Sequence, residues 1–137
     1  MDVDTSELNS PIPPGSSVGV PIAIEYWTDI PQQFLRFIPW QIRNLFLFHR
    51  FIAPMQKIYF ESSDTSDEID VCFTQNPVLT DIPFSGEISE SSTYMIILIG
   101  ENTPSNSYLI HIEASCNDIH RVSGTEVGIA IVFTVGN

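Results

Sequence analysis

An all-β fold of antiparallel strands is what this sequence predicts, and three observations carry the prediction. Apolar residues recur with a period of two through several segments, the segments come at intervals near ten residues, and clusters of Gly, Pro, Asn, Asp or Ser separate them. That cadence, seven or eight strands with one short helix, is the signature of an antiparallel sandwich or barrel. The chain has 137 residues, the length of one domain, and folding it buries roughly two-thirds of the extended chain's surface. A core without staples follows.

Residues 1–19 hold Pro11, Pro13, Pro14 and Gly15 among serines, with few large apolar side chains, and cannot form a core of their own. They read as an extended N-terminal arm for which a neighbouring subunit is the natural support, with residues 20–137 as the sandwich domain. Residues 21–27 alternate Ile22, Ile24 and Tyr26 against Ala23, Glu25 and Trp27, a first strand. Phe34, Leu35, Phe37 and Ile38 have helical spacing until Pro39 stops them, which predicts the short helix. Residues 40–51 set Ile42, Phe46 and Phe48 against Leu45, Leu47 and Phe51, a long central strand, with a twelve-residue helix as the competing assignment.

Residues 55–61 form the next strand, with Ile58 and Phe60 on one face. The acid- and Ser/Thr-rich residues 62–68 read as a loop, after which Ile69, Val71 and Phe73 resume the alternation until Asn76-Pro77 breaks it. Pro83 and Gly86 limit any strand within residues 78–92 to a short or edge one. Residues 93–99 are apolar on both faces and so belong at the centre of a sheet. The closing pair spans residues 107–135. Its first member sets Tyr108, Ile110, Ile112 and Ala114 against Leu109, His111, Glu113 and Ser115. Its second sets Val127, Ile129, Ile131, Phe133 and Val135 against the small residues Gly128, Ala130, Val132 and Thr134. Such a strand is expected to be covered on both faces, inserted between elements made earlier.

Composition excludes several classes of function. A net charge of −12 opposes nucleic acid as a main partner, because phosphate binding depends on Lys and Arg displacing counterions. Four of the five cations, Arg36, Arg43, Arg50 and Lys57, nevertheless share one segment free of acids, which pairs with acidic loops or forms a weak RNA-facing patch. Cys72 and Cys116 are too few for a disulfide framework and lack the spacing of a zinc or redox site. No charged-then-apolar leader is present and no apolar run approaches the roughly 20 residues that span a bilayer, so a soluble protein of a reducing compartment, without membrane contact, is expected.

Chemistry-bearing patterns are sparse. No Gly-x-Ser-x-Gly elbow occurs, and Cys116 with His120 in one loop reads as a small thiol beside a solvated imidazole. His111 and Glu113 project from one strand face and, with His49 or His120, would make a two-His, one-carboxylate metal set, although a polar solvent face explains the pair as well. Asp64, Asp67, Glu68 and Asp70 offer hard oxygens to calcium but lack the EF-hand spacing. No cofactor is expected.

Two stretches carry a resemblance. Trp40-Gln41-Ile42-Arg43-Asn44-Leu45-Phe46-Leu47-Phe48, a Trp-led aromatic strand, and Ile110-His111-Ile112-Glu113-Ala114-Ser115-Cys116-Asn117-Asp118-Ile119, a strand entering an Asp-containing loop, resemble jelly-roll capsid proteins of picorna-like RNA viruses, particularly those of insects. The resemblance implies a jelly-roll β-sandwich that assembles with other capsid subunits into an icosahedral shell, formed in the host cytoplasm and kept in the virion, with no enzymatic role. Ile12, Pro13 and Pro14 of the arm, with Trp27 and Trp40 as fold anchors, are then the assembly residues. A recognition or adhesion module with ligand contacts in its end loops is the alternative, and a cupin-like metal enzyme on His111 and Glu113 the third.

Overall fold

The computed structural model describes residues 1–26, 56–64, 66–80, 88–116 and 125–137. Eight strands follow in chain order: β1 (Asp2–Val3), β2 (Ser17–Tyr26), β3 (Gln56–Asp64), β4 (Ile69–Phe73), β5 (Val78–Thr80), β6 (Ser89–Ile99), β7 (Asn106–Cys116) and β8 (Thr125–Val135). They form two four-stranded antiparallel sheets, ordered β1-β2-β6-β4 and β5-β3-β7-β8, and the fold is an all-β sandwich. The period-two pattern puts one side of every long strand inside: Val20, Ile22, Met95 and Ile97 from the first sheet meet Ile110, Ile112, Phe133 and Val135 from the second, all nearly inaccessible. The Tyr108 and Phe133 rings, opposite each other in the β7–β8 register, stack with centroids 5.9 Å apart.

Residues 1–19 depart from the expected arm supported by a neighbouring subunit. β1 pairs with β2, Ser6–Leu8 form one 3-10 turn, and Val3, Leu8 and Ile12 are buried in the chain's own core. Ile12 forms a parallel bridge to Val135: its N–H donates to the Thr134 carbonyl at 2.9 Å and its carbonyl accepts from Gly136 N–H at 3.0 Å. Three apolar side chains, too few for a separate core, suffice to anchor a segment onto one that exists. The sandwich's first strand accordingly begins at Ser17, ahead of the expected Pro21. Pro21 is accommodated because its carbonyl faces β1, accepting from Asp4 N–H at 3.0 Å, so its missing N–H falls on that side, just past the end of the two-residue β1.

Pairing also overrides local composition elsewhere. β3 runs through Ser62 and Ser63 to Asp64, into the expected loop, because β7 supplies partners in register up to Asp64↔Ile110. β6 starts at Ser89 because β2 extends to Tyr26 opposite it. β5 is the short edge strand that residues 78–92 predicted. β8 is not inserted between earlier strands: among the described residues its ladder neighbour is β7 on one side, with Ile12 bridging only its last residues on the other, and Val132 is 63% exposed. The expected helix at residues 32–38 and the aromatic strand at 40–51 lie outside the described residues.

Side chains complete the ladders where backbone pairing stops. β5 pairs with β3 only up to Val78↔Ile58, and Pro77 has no N–H to continue. Two residues earlier, Asn76 replaces a strand partner: its Oδ1 accepts from Phe60 N–H at 2.9 Å and its Nδ2 donates to the Phe60 carbonyl at 2.7 Å. In the other sheet the buried Thr93 hydroxyl donates to the Gln75 carbonyl at 3.0 Å and accepts from Gln75 N–H at 3.2 Å. Among the described residues every buried side-chain polar atom has a partner.

Candidate functional site

Two outward faces hold the residues with something left to do. On the first sheet, Thr93, Met95, Ile97 and Ile99 of β6 point into the core, which turns Tyr94, Ile96 and Leu98 outward. Tyr94 is 54% and Leu98 43% exposed. The neighbours extend the apolar surface: Pro21 lies opposite Tyr94 in β2, Gly19 opposite Ile96, and Cys72 of β4 opposite Ile96 on the other side. The thiol of Cys72 is free and exposed. Acids stand at the ends of this stripe, with Glu25 and Glu90 directly opposed beyond Ser92 and Asp70 opposite Leu98. A contiguous apolar stripe on the solvent side of a central strand, rimmed by charge, is the surface pattern of an interaction site.

On the second sheet's outer face, Ser63, His111, Glu113, Gly128 and Ala130 line a shallow depression of about 400 Å³. The register explains it. His111 faces Ser63 on one side and Ala130 on the other, while Glu113 faces Glu61 and Gly128, so the small residues of β8 leave room beside the polar row of β7. A Cβ at Gly128 would meet only the Ile112 carbonyl at an ordinary 3.7 Å.

The residues singled out in the sequence are dispersed over the fold. His111 and Glu113 do share a face, both exposed, but His49 and His120 lie outside the described residues. Among the described residues no three His, Cys, Asp or Glu side chains converge. Asp67, Glu68 and Asp70 are all exposed around the turn into β4. Of the assembly residues, Ile12 is buried against its own chain, whereas Pro13 is exposed and Pro14 half-buried; Trp27 and Trp40 lie outside the described residues. So do Arg36, Arg43 and Arg50, while Lys57 is exposed. Tyr94 and Leu98 are not among those residues, although a segment apolar on both faces holds the signal: only one face of a strand in this sandwich turns into the core.

Fold and faces together define a two-sheet β-sandwich with an apolar outer stripe and a polar depression on opposite sides. No family model matches the chain, and none of the curated proteins matches it. Among solved structures the chain is similar to a family 123 glycoside hydrolase from Clostridium perfringens, studied for glycolipid glycan hydrolysis, with a TM-score of 0.51 and 13% identity over 90% of this chain. The match covers 22% of that chain, so the sandwich corresponds to less than a quarter of the hydrolase's length. At this identity the likeness is one of fold.

Proposed function

We propose that this chain is a structural subunit that works by binding protein, in the manner of the capsid shell proteins that residues 40–48 and 110–119 resemble. The observation that supports it is the outward row Tyr94, Ile96 and Leu98: burying such a row against protein returns roughly 25 cal/mol per Å² of apolar surface, whereas leaving it in water serves no structural end. In this proposal copies or sister sandwiches join through sheet faces into a shell found in the virion. The first residues contribute by completing each subunit's own core rather than by lacing neighbours. Contact with genomic RNA through Arg36, Arg43, Arg50 and Lys57 is a minor part. Sedimentation of the purified chain over a wide concentration range, with electron microscopy of the concentrated sample, tests the proposal. Reversible association and closed particles are expected; a species that stays monomeric at the highest concentration refutes it.

A recognition module is the second reading, favoured by the depression between β7 and β8. Its polar groups, Ser63, His111 and Glu113, sit on a sheet face rather than in end loops. It predicts that Gly128→Leu, a larger side chain on the lining of the depression whose Cβ would meet only the Ile112 carbonyl at 3.7 Å, abolishes ligand binding while leaving association intact.

A further inference from the structure

Resting on the reading of the depression between β7 and β8 as a binding site, we propose that its ligand is a neutral saccharide, held through its hydroxyl groups on the outer face of the second sheet. The polar side chains of the lining are Ser63, His111 and Glu113, with Gly128 and Ala130 beside them, and all five residues are exposed. Among the described residues no hydrogen bond or ion pair joins any of those three side chains to a neighbour, so their capacity is open to a molecule from solution. Hydrogen bonding selects the class. A serine hydroxyl both donates and accepts, a neutral imidazole donates from one nitrogen and accepts at the other, and an ionised carboxylate only accepts. A cation would use the acceptors alone and an anion the donors alone. A polyol, whose every hydroxyl gives one hydrogen bond and receives others, engages all three.

The sheet fixes the spacing of these groups. Ser63 faces His111 across the ladder and Glu113 follows two residues along β7, which spreads the three over a grid of about 5 by 7 Å that the hydroxyls of one sugar ring can bridge. Gly128 and Ala130 face Glu113 and His111 on the other side, and having no long side chains they let the ring lie against the sheet. One row along the same face, opposite Ser115, Tyr59 is 39% exposed and gives the apolar C–H side of a sugar a surface to pack on. Charge removes the anionic alternative. The chain carries −12, Glu61 stands directly opposite Glu113, and Lys57 lies four residues from Glu61 along β3, about 13 Å away. Phosphate, sulfate and carboxylate ligands are repelled. Because the depression is shallow, most of any ligand stays in water, which suits a molecule that remains solvated.

Amide-resolved NMR titration of the whole chain tests the assignment, with lactose, maltotriose and diacetylchitobiose as probes and spermidine and agmatine as cationic comparators. At least one saccharide should shift the amides of Ser63, His111, Glu113, Gly128 and Ala130, with a Kd on the order of 1 mM, the weak affinity of a site that stays open to water. Glu113→Ala and Ser63→Ala, both at exposed positions, should each weaken that binding by roughly tenfold while leaving the spectrum outside the site unchanged. If the saccharides leave these amides unmoved, or if neither substitution weakens their binding, the saccharide assignment is wrong. Shifts of the same amides by spermidine or agmatine would then preserve the reading of the depression as a binding site. If no probe of either class moves them, both fall.

Discussion

Replacing Asn76 by Ala tests whether a side chain finishes the β3 edge. The change removes two hydrogen bonds, at 2.9 and 2.7 Å, from the backbone of Phe60, whose side chain is 3% exposed. A buried backbone group stripped of its partner costs about 1–3 kcal/mol, but Asn76 itself is exposed and water can reach one of the two groups, so a net loss of about 2 kcal/mol is expected. With a urea m-value of about 1–3 kcal/mol/M, the unfolding midpoint should fall by roughly 1 M with an unchanged slope. Asn76→Asp is the informative companion. Its carboxylate still accepts from Phe60 N–H but turns a second oxygen toward the Phe60 carbonyl, so at neutral pH it should be no more stable than the alanine variant. Acid that protonates it should restore the donor and part of the stability. A midpoint shift in Asn76→Ala worth less than about 0.5 kcal/mol, the size of an ordinary surface substitution, refutes the reasoning.

Phe133→Ala should cost about 3–5 kcal/mol by chemical denaturation, because it opens a cavity at a side chain 1% exposed and removes the stack with Tyr108. Thr93→Val keeps the shape but leaves the Gln75 N–H and carbonyl without their hydroxyl, for a loss of about 1–2 kcal/mol in the same assay. Gly100→Ala should destabilise through contact alone, since an added Cβ would lie 2.9 Å from a Glu68 carboxylate oxygen and 3.1 Å from the Glu68 carbonyl, and a thermal melt reads it. Hydrogen bonds from Ser6, its hydroxyl first and then its N–H at 3.0 Å, hold the Asp4 carboxyl below the usual carboxylate range. A depressed acid adds stability above its unfolded pKa and loses it as pH falls through the folded one. An NMR titration should therefore place the Asp4 midpoint low, and Ser6→Ala should raise it partway, because the N–H remains.

How much was legible can be judged residue by residue. Ile110 and Ile112, or Ile131 and Phe133, lie in the core because a period of two commits alternate side chains to one side whatever the strand's partners. Ser62, Ser63 and Ser91 gave no such sign: their strand state comes from Ile112, His111 and Ile24 across the ladder. Asn76 and Thr93 read as a breaker and a small polar residue, and their bonds to Phe60 and Gln75 span 16 and 18 residues, beyond the reach of any local pattern. His111 and Glu113 share one face by the same period of two, and their polarity marks it as a solvent face; that Gly128 and Ala130 lie beside them is decided by the β7–β8 register.

By itself the amino-acid sequence determined that the protein is built of antiparallel strands, which side of each strand is apolar, and that few groups capable of chemistry are present. Side-chain alternation is a property of the backbone, written into every strand before it has a neighbour. Tertiary structure alone decided that residues 1–19 join the sandwich, that β8 pairs with β7 at a sheet's margin, and that the second apolar side of β6 faces outward. Which elements cover a given face depends on contacts between residues far apart in the chain, and hydrophobicity, having no direction, does not name its partner.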